Sequence, residues 1–379
     1  MNKKVLFNLI PTQPLDSKRH GGGRYGECVI KRIIMRNHPV ICIYDSKKWF
    51  NPEIKELIDQ HQIKLYDVND YSIRDIVDKE TIQTYYTPMV NRNTIDELNC
   101  NIIGTIHGLR SMEMPTDRWF CKYKGWKNTA RYLVYLLFGN AYRNRVSRFL
   151  SETLRKDNFL PVTVSQHSAY SIKVHFQDDI RNKKVPVFYS PSTNIDKEIT
   201  TQKYSEKYVL LVSAFVPFKN GLRAVMALDR LFSTGNLKDV KVKVTGLSSP
   251  KKYRYKIKNN DKFDFLGFVS DEELEQLYHD AYCLVYPSLN EGFGYPPVEA
   301  MHYGVPVLAS PFTSITEVCA DAAIYFNPFS IEEIMGRILF VMDEDVRKVY
   351  SEKALNQYKK IHLKQEEDLN KLVDYIFSV

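Results

Sequence analysis

The chain has 379 residues, 44% of them hydrophobic and 26% charged, with a formal net charge of +8. That usage excludes a disordered chain, and the length suffices for two or three domains with real cores. The mildly basic balance favours anionic ligands or an anionic surface, and the six cysteines lack CxxC pairing or zinc spacing, which suits buried free thiols such as Cys42 and Cys283 in a reducing compartment.

The N-terminal apolar run ends at Ile10, is too short for a secretory segment, and reads as a first strand, Val5–Ile10. HGGGRYGECVIKRI, His20 to Ile33, sets three glycines ahead of a helix. As a dinucleotide fingerprint it is weak, because the glycines stand well past the strand; a flexible loop is the plain alternative. Further strands are expected at Val40–Tyr44, Ile63–Val68, Ile82–Tyr86 and Ile102–His107. The last of these puts His107 at a strand's C-terminal end, within NIIGTIHGLR.

From Arg110 to Asp157 the chain carries eleven basic residues against four acidic ones. Trp119, Phe120, Tyr123, Trp126, Tyr132, Tyr135 and Phe138 are interleaved with them. The pattern suits a face lying on an anionic membrane, or an ordinary amphipathic helix with solvated arginines. Its apolar stretch Tyr132–Gly139 is far below a membrane span. Single-stranded nucleic acid also favours aromatics among basic residues, but no RNA-binding signature accompanies them, so no nucleic-acid partner is expected. Strands Val162–Ser165 and Val185–Tyr189 follow, with Ser165 or Ser168 a sufficient helix N-cap.

The polar, Ser/Thr-rich stretch Ser190–Tyr208 reads as a domain boundary. Beyond it strands are expected at Tyr208–Ser213, Val240–Thr245, Phe263–Phe268, Cys283–Tyr286, Val305–Ala309 and Ala323–Phe326. Between them run helical patterns at Asn220–Phe232, Asp271–Ala281 and Ile331–Met342. Thirteen strands exceed one compact open sheet, so the expected fold class is α/β, with two parallel sheets in two domains. The tail Leu363–Val379 reads as an amphipathic helix with Leu369, Leu372, Val373, Ile376 and Phe377 on one face.

Two stretches carry the chemistry. VSAFVPFKNGLRAV, Val212 to Val225, is a strand end, a loop and a helix start. A lysine there, Lys219, can neutralise a diphosphate or simply be solvated. SLNEGFGYPPVEAMHYGVPVLAS, Ser288 to Ser310, holds Glu291 in a loop and Glu299 in the first turn of a helix beginning near Pro296 or Pro297. Backbone amides of Gly292, Phe293 and Gly294 at that helix N-terminus form an anion site. The two carboxylates suit paired hydroxyls, as on a sugar or ribose; for Glu299 alone helix capping is the better account, but for the whole string it is not. The D-x-D string Asp343–Asp345 reads as a helix N-cap at Asp343, and no metal is required.

EGFGYPPVEAMHYGVPVLAS resembles the E-x7-E signature of the retaining glycosyltransferases of family 4, which have the GT-B fold. The likeness continues upstream through FLGFVSDEELEQLYHDAYCLVYPS and downstream through ITEVCADAAIYFNPFSIEEI, covering the C-terminal half. It implies two Rossmann-like domains facing across a central cleft. Residues 1–195 would bind acceptor, 196–362 would bind nucleotide sugar, and 363–379 would pack back on the N-terminal domain. It implies that Glu291 contacts donor-sugar hydroxyls and Glu299 the ribose. Gly292, Phe293 and Gly294 would face sugar and diphosphate, with Phe268 and Val269 lining the base pocket. Lys219 matches the family's phosphate-gripping loop, whereas its arginine positions are Phe218 and Ala214 here. Gly21, Gly23, Arg24 and Tyr25 match a glycine-rich loop facing donor phosphates and acceptor, and His107 a histidine near the sugar.

The implied activity is retaining, metal-independent transfer of a hexose from a nucleoside-diphosphate sugar to a glycan or lipid-linked acceptor. The product would be α-linked, in cell-surface polysaccharide synthesis, with His107 and Glu291 orienting the sugar and no cofactor. The expected location is the cytoplasm or the inner face of the cytoplasmic membrane. A GT-B epimerase, a phosphorylase or a non-catalytic nucleotide-sugar-binding homologue are the alternatives, the last because of Phe218 and Ala214.

Overall fold

The computed structural model describes residues 3–14, 21–90, 98–192 and 206–379. Strands β1 (Val5–Asn8), β2 (Val40–Tyr44), β3 (Leu65–Asp67), β4 (Thr84–Thr87), β5 (Asn101–Ile106) and β6 (Phe159–Thr163) make one sheet. Strands β7 (Tyr208–Leu211), β8 (Lys241–Thr245), β9 (Phe263–Gly267), β10 (Cys283–Tyr286), β11 (Val307–Ala309) and β12 (Ala323–Tyr325) make the other. All pairings in both are parallel. The strands are short apolar runs with both faces covered, such as VLFN in β1 and CLVY in β10, buried at every position. The helices that follow strands bury one stripe: Ile331, Ile334, Ile338 and Val341 in Ile331–Met342, whose N-terminus Ser330 caps through the Glu333 amide.

The sheet orders are β3-β2-β1-β4-β5-β6 and β12-β11-β10-β7-β8-β9. Counted from its own first strand, the second repeats the order of the first. In each, the order reverses beside the first strand, between β1 and β4 and between β7 and β10. Open α/β sheets take ligands at the carboxyl ends of the strands flanking such a reversal.

Contacts divide the chain into two compact units: Met1–Leu109 with Val146–Asp196 and His362–Val379, and Arg110–Arg145 with Lys197–Ile361. The stretch 110–145 thus belongs with the second sheet, although in sequence it falls between β5 and β6. Its attachment is specific. Asp117 and Arg223 form a buried two-pronged ion pair, Nη1–Oδ2 2.6 Å and Nη2–Oδ1 3.2 Å, with Trp119 over the guanidinium. The Tyr123 hydroxyl accepts from the Leu222 amide at 3.1 Å. A short antiparallel bridge joins Tyr123 to Tyr253. Phe120 and Tyr123 are accordingly buried, so the aromatic pattern of 110–125 is packing and not an open amphipathic face.

Other expectations change in detail. Val185–Tyr189 contributes one isolated bridge, Thr163 to Val187, and not a strand; Pro186 has no amide to give a ladder. β6 begins at Phe159 and not at Val162. Gly21, Gly22 and Gly23 are the first residues of helix Gly21–Met35 and do not precede it, while residues 15–20 lie outside the described residues. Most of the boundary read at Ser190–Tyr208, namely 193–205, lies outside them too. The last helix is Glu344–Ser378, starting well before Leu363. Asp343 caps it, Oδ1 accepting from the Asp345 and Val346 amides at 2.9 and 3.1 Å. From His362 onward this helix groups with the first unit, burying Leu369, Leu372, Val373 and Ile376. There Arg32 pairs with Glu366 at 2.6 Å and Arg36 with Asp374 at 2.7 Å. All six cysteines are free. Cys42 and Cys283 are buried in strands, and burial pushes the Cys283 thiol up to about 12.

Candidate functional site

The β7/β10 reversal is where the second unit concentrates its polar chemistry. After β7 the chain turns through Ser213 and Asn220, both at positive φ, with the short turn Pro217–Lys219 between them. Backbone strain of this kind persists only where neighbours over-determine it. Here the Asn220 amide group donates to the carbonyls of Pro287 (3.2 Å) and Pro328 (2.7 Å), and the Leu289 amide donates to the Phe218 carbonyl at 2.8 Å. The loop after β7 is therefore fastened to the loop after β10.

That fastening brings Lys219 to Glu291. Nζ of Lys219 donates to Glu291 Oε1 at 2.6 Å and to the Tyr286 hydroxyl at 2.5 Å. Tyr286 and Ser288 hydroxyls also donate to Oε1, at 2.7 and 2.5 Å. All three donors converge on one oxygen, and Oε2 accepts from none of them. Burial pushes the Glu291 carboxyl up, but the Lys219 ammonium, the Arg110 guanidinium and the Ser288 hydroxyl outweigh it and hold the group below its ordinary value. Burial pulls Lys219 below its ordinary value despite Glu291. Burial and the Glu291 carboxylate push the Tyr286 phenol far up, so it remains a donor. An ionised carboxylate with one oxygen anchored and the other unspent is suited to accept from a ligand hydroxyl.

The rest of the loop is held by its own frame. Thr313 Oγ1 accepts from the Glu291 amide at 2.9 Å, and Ser314 Oγ donates to the carbonyls of Glu291 (3.1 Å) and Phe293 (2.8 Å). Ser310 Oγ donates to the Ser288 carbonyl. Gly294 has φ 110°, and a Cβ there would come within 2.8 Å of Ile315 Cδ1, so both conformation and space demand glycine. It precedes helix Tyr295–His302, which no side chain caps. Among the described residues neither the Gly292 nor the Gly294 amide donates to a protein acceptor. Phe293 is buried, edge-on to Tyr295 at 5.7 Å. Glu299 is half-buried and is the fifth residue of the helix, outside its first turn, so helix capping does not account for it. Its charge reaches Lys219.

Three further residues of the sequence reading fall in place. Ala214 is 1% exposed and faces Gly221, where a Cβ would lie 2.7 Å from its own; the position is closed to any ligand-facing side chain. Phe268 is exposed and edge-on to Phe215 at 5.2 Å. Phe268 and Val269 border a cavity of about 370 Å³ together with Tyr208, Lys243, Leu266 and Leu277. Phe215 belongs to the same loop as Lys219.

Residues that sequence reasoning did not single out complete the site: Tyr286, Ser288, Thr313, Ser314 and Arg110. Tyr286 and Ser288 end a buried apolar strand with polar groups, which was a readable signal. Arg110 was only one of eleven cations. Its guanidinium lies 3.8 Å from the Phe218 ring centre.

The first unit presents a different corner. His107 Nε2 lies 2.8 Å from the Pro88 carbonyl, and its ring packs edge-on against Tyr25 at 4.8 Å. Ser165 caps helix Gln166–His175 through the Ser168 amide (3.2 Å), and Ser168 Oγ donates to the His107 carbonyl at 3.2 Å. Tyr25 is 1% exposed, its hydroxyl within 3.2 Å of Thr105 Oγ1 and 3.1 Å of the Tyr86 hydroxyl. Burial pushes its phenol up to about 12. Tyr25 therefore supports the His107 ring from within the core. Gly23 is buried, Gly21 exposed and Arg24 half-buried in the same helical turn. Among the described residues no group of three or more His, Cys, Asp or Glu side chains is placed to hold a metal ion.

The profile of the glycosyl transferases group 1 family matches residues 192–360. The chain is 35% identical over 151 residues to the O-antigen chain mannosyltransferase RfbU of Salmonella typhimurium, covering 40% of this chain and 42% of that protein. It is 43% identical over 96 residues to the O-antigen chain mannosyltransferase B of Escherichia coli, covering 25% of each. The chain thus spans about two-fifths of the first relative's length and a quarter of the second's. A glycosyltransferase from Rickettsia africae superposes with a TM-score of 0.67 at 16% identity, covering 99% of this chain and 98% of that one. The architecture is the GT-B fold, two Rossmann-like units each built on a six-stranded parallel sheet.

Proposed function

We propose, since residues 192–360 match the profile of the glycosyl transferases group 1 family, that the chain moves a hexosyl group from a nucleoside-diphosphate sugar to a glycan or lipid-linked acceptor. The observation that carries this reading is the Glu291 carboxylate at the β7/β10 reversal: among the described residues three donors hold Oε1, Oε2 accepts from none, and two glycine amides beside it have no protein acceptor. Oε2 accepts from a sugar hydroxyl, and the Gly292 and Gly294 amides face the sugar and diphosphate. Glu299 takes the ribose, and Phe268 with Val269 borders the base. His107, steadied by Tyr25, Pro88 and Ser168, contacts the sugar; Gly21 and Arg24 serve the acceptor and Gly23 the donor phosphates.

The transfer retains configuration. The acceptor oxygen bonds to the anomeric carbon on the face the diphosphate leaves, the bond to the diphosphate oxygen breaks, and that oxygen takes the acceptor proton. Glu291 orients the sugar, and fixed dipoles stabilise the positive charge that develops on the ring. Retention of an α-linked donor yields an α-linked product. The names of the two mannosyltransferase relatives make mannose the first hexose to test and cell-surface polysaccharide the product class. Fixed cations and amides meet the diphosphate charge, so a metal is not required.

Incubation with UDP- and GDP-hexoses and glycan or lipid-diphosphate acceptors, with and without chelator, tests this. We expect transfer that persists in chelator, an α-anomeric product by NMR, and loss of ~100-fold or more in Glu291→Ala and Lys219→Ala. Transfer at wild-type rate in both variants rejects the site. Nucleotide-sugar binding without transfer to any acceptor favours a binding protein.

Placement at an anionic membrane face is supported by helix Trp126–Arg155, which exposes Leu133, Val134, Leu136, Leu137 and Phe138 ahead of Arg143, Arg145 and Arg148. Among the described residues no helix is long and apolar enough to cross a membrane. Flotation with anionic liposomes at low salt is expected to carry the protein; absence from the lipid fraction rejects the placement.

A further inference from the structure

We propose that Arg110 binds the diphosphate of the donor: its guanidinium, laid on Phe218 at the rim of the Lys219–Glu291 pair, is the cation the site keeps for its ligand. The inference rests on the nucleotide-sugar reading above and adds to it the residue that meets the charge.

A count of charges leads there. Lys219 and Glu291 neutralise each other, and Lys219 is further held by Tyr286. A nucleoside diphosphate brings at least two negative charges, which this pair alone does not match. Arg110 differs from Lys219 in both respects that matter. Its side chain is exposed, and among the described residues it forms no hydrogen bond or ion pair; its contact is the stack on Phe218. A guanidinium stacked by its face leaves its in-plane N–H groups unspent, and that fork matches a phosphate in two-pronged geometry.

The arginine is also placed in advance. It opens the helical turn Arg110–Glu113, and Glu113 Oε2 accepts from Asn290 Nδ2 at 3.1 Å, next to Glu291 in the chain. Phe218 is fixed in turn by the Leu289 amide on its carbonyl. Both halves of the stack are thus tied to the loop after β10, one through Asn290 and one through Leu289. The Asp117–Arg223 pair seven residues along holds the same stretch down. The positive charge of Arg110 acts to lower Lys219, Tyr286 and Glu291 alike, although burial and the Glu291 carboxylate still leave the Tyr286 phenol far up. Phe218, which stands at an arginine position of the phosphate loop, becomes a platform for an arginine brought from more than a hundred residues earlier in the chain.

Calorimetric titration of wild type and Arg110→Gln with GDP, UDP, GMP and UMP tests this. Wild type should prefer a diphosphate over its monophosphate, with affinity falling as salt rises. In Arg110→Gln the diphosphate affinity should drop ~10–100-fold, while the monophosphate changes far less and the melting temperature holds. An unchanged diphosphate-to-monophosphate ratio overturns the role of Arg110 and leaves the glycosyltransferase reading standing. Equal loss for both nucleotides with a lowered melting temperature overturns it as well, since Arg110 then only braces the loop. If wild type binds none of the four, the nucleotide-sugar reading itself fails and this inference with it.

Discussion

Beside the β1/β4 reversal of the first unit, the groups that meet are neutral. Asn8 donates to Thr87 Oγ1 at 3.3 Å across the two strand ends, and Tyr25, Tyr86 and Thr105 share hydroxyl contacts behind His107. At the β7/β10 reversal of the second unit the same topology carries a buried ammonium, a carboxylate and two hydroxyls within hydrogen-bond distance. One strand order therefore supports two chemistries. The order decides where a ligand can lie, because strand ends splay there and leave room; the side chains decide what ligand it is. Neutral groups fix a shape at little electrostatic cost. A buried ion pair is costly to desolvate, and it is retained where an unspent oxygen of the pair has work with a ligand.

The strongest way to break this contrast is to remove one partner on each side. Glu291→Ala or Lys219→Ala leaves a charge buried alone, and each should cost ~3–5 kcal/mol in urea unfolding, while the double variant should cost less than the sum. Asn8→Ala in the first unit should cost ~1 kcal/mol, the worth of a neutral hydrogen bond. Equal losses at the two reversals would mean that the charge of the pair is incidental. The Glu291 part of this stability carries a pH sign. Its folded value is depressed, so its contribution is present above the ordinary value of 4.5 and is lost as pH falls through the lower folded value. Lys219 gives a slope of the same sign at the alkaline end: between its lowered folded value and the ordinary 10.5 the unfolded chain holds the extra proton, so stability rises with pH across that window, as a burial cost is relieved.

A smaller effect should appear in the pH dependence of kcat/KM, which reports groups of the free enzyme. The acid limb should lie below the ordinary carboxylate value and the alkaline limb below the ordinary lysine value, both displaced in one direction by burial and the ion pair. Lys219→Arg should move the alkaline limb out of range, since guanidinium does not deprotonate there. An alkaline limb unmoved in Lys219→Arg would assign it to another group. Least affected should be Tyr25→Phe. It removes one hydroxyl from a buried neutral cluster, costing ~1 kcal/mol of stability and leaving the pH limbs where they were. A shifted limb in Tyr25→Phe would show that the first corner is not electrostatically inert.

Much of this was legible from the chain alone, for reasons that are local. Buried parallel strands are short β-branched runs, and ten of the thirteen expected ones overlap an observed strand by most of their length, with Ile63–Val68 overlapping β3 by half, because each run is covered on both faces. Val162–Ser165 overlaps β6 only at its end, and Val185–Tyr189 failed as a strand because Pro186 interrupts donation, which run composition does not weigh. Glu291, Lys219 and their glycines were found because loops between a buried strand and a helix announce themselves with Gly, Pro and charge. The helix starting at Glu344 was missed because its long polar stretch hides the apolar stripe.

By itself the sequence determined two parallel α/β sheets, the loop that holds Glu291 and the helix that follows it, since periodicity and turn chemistry act over a few residues. The tertiary structure alone decided that 110–145 joins the second sheet, that Asp117 meets Arg223, and that Arg110 lies on Phe218. Each of those pairs joins residues more than a hundred positions apart. Such partners are selected by packing and desolvation in the folded unit, and they leave no periodic mark along the chain.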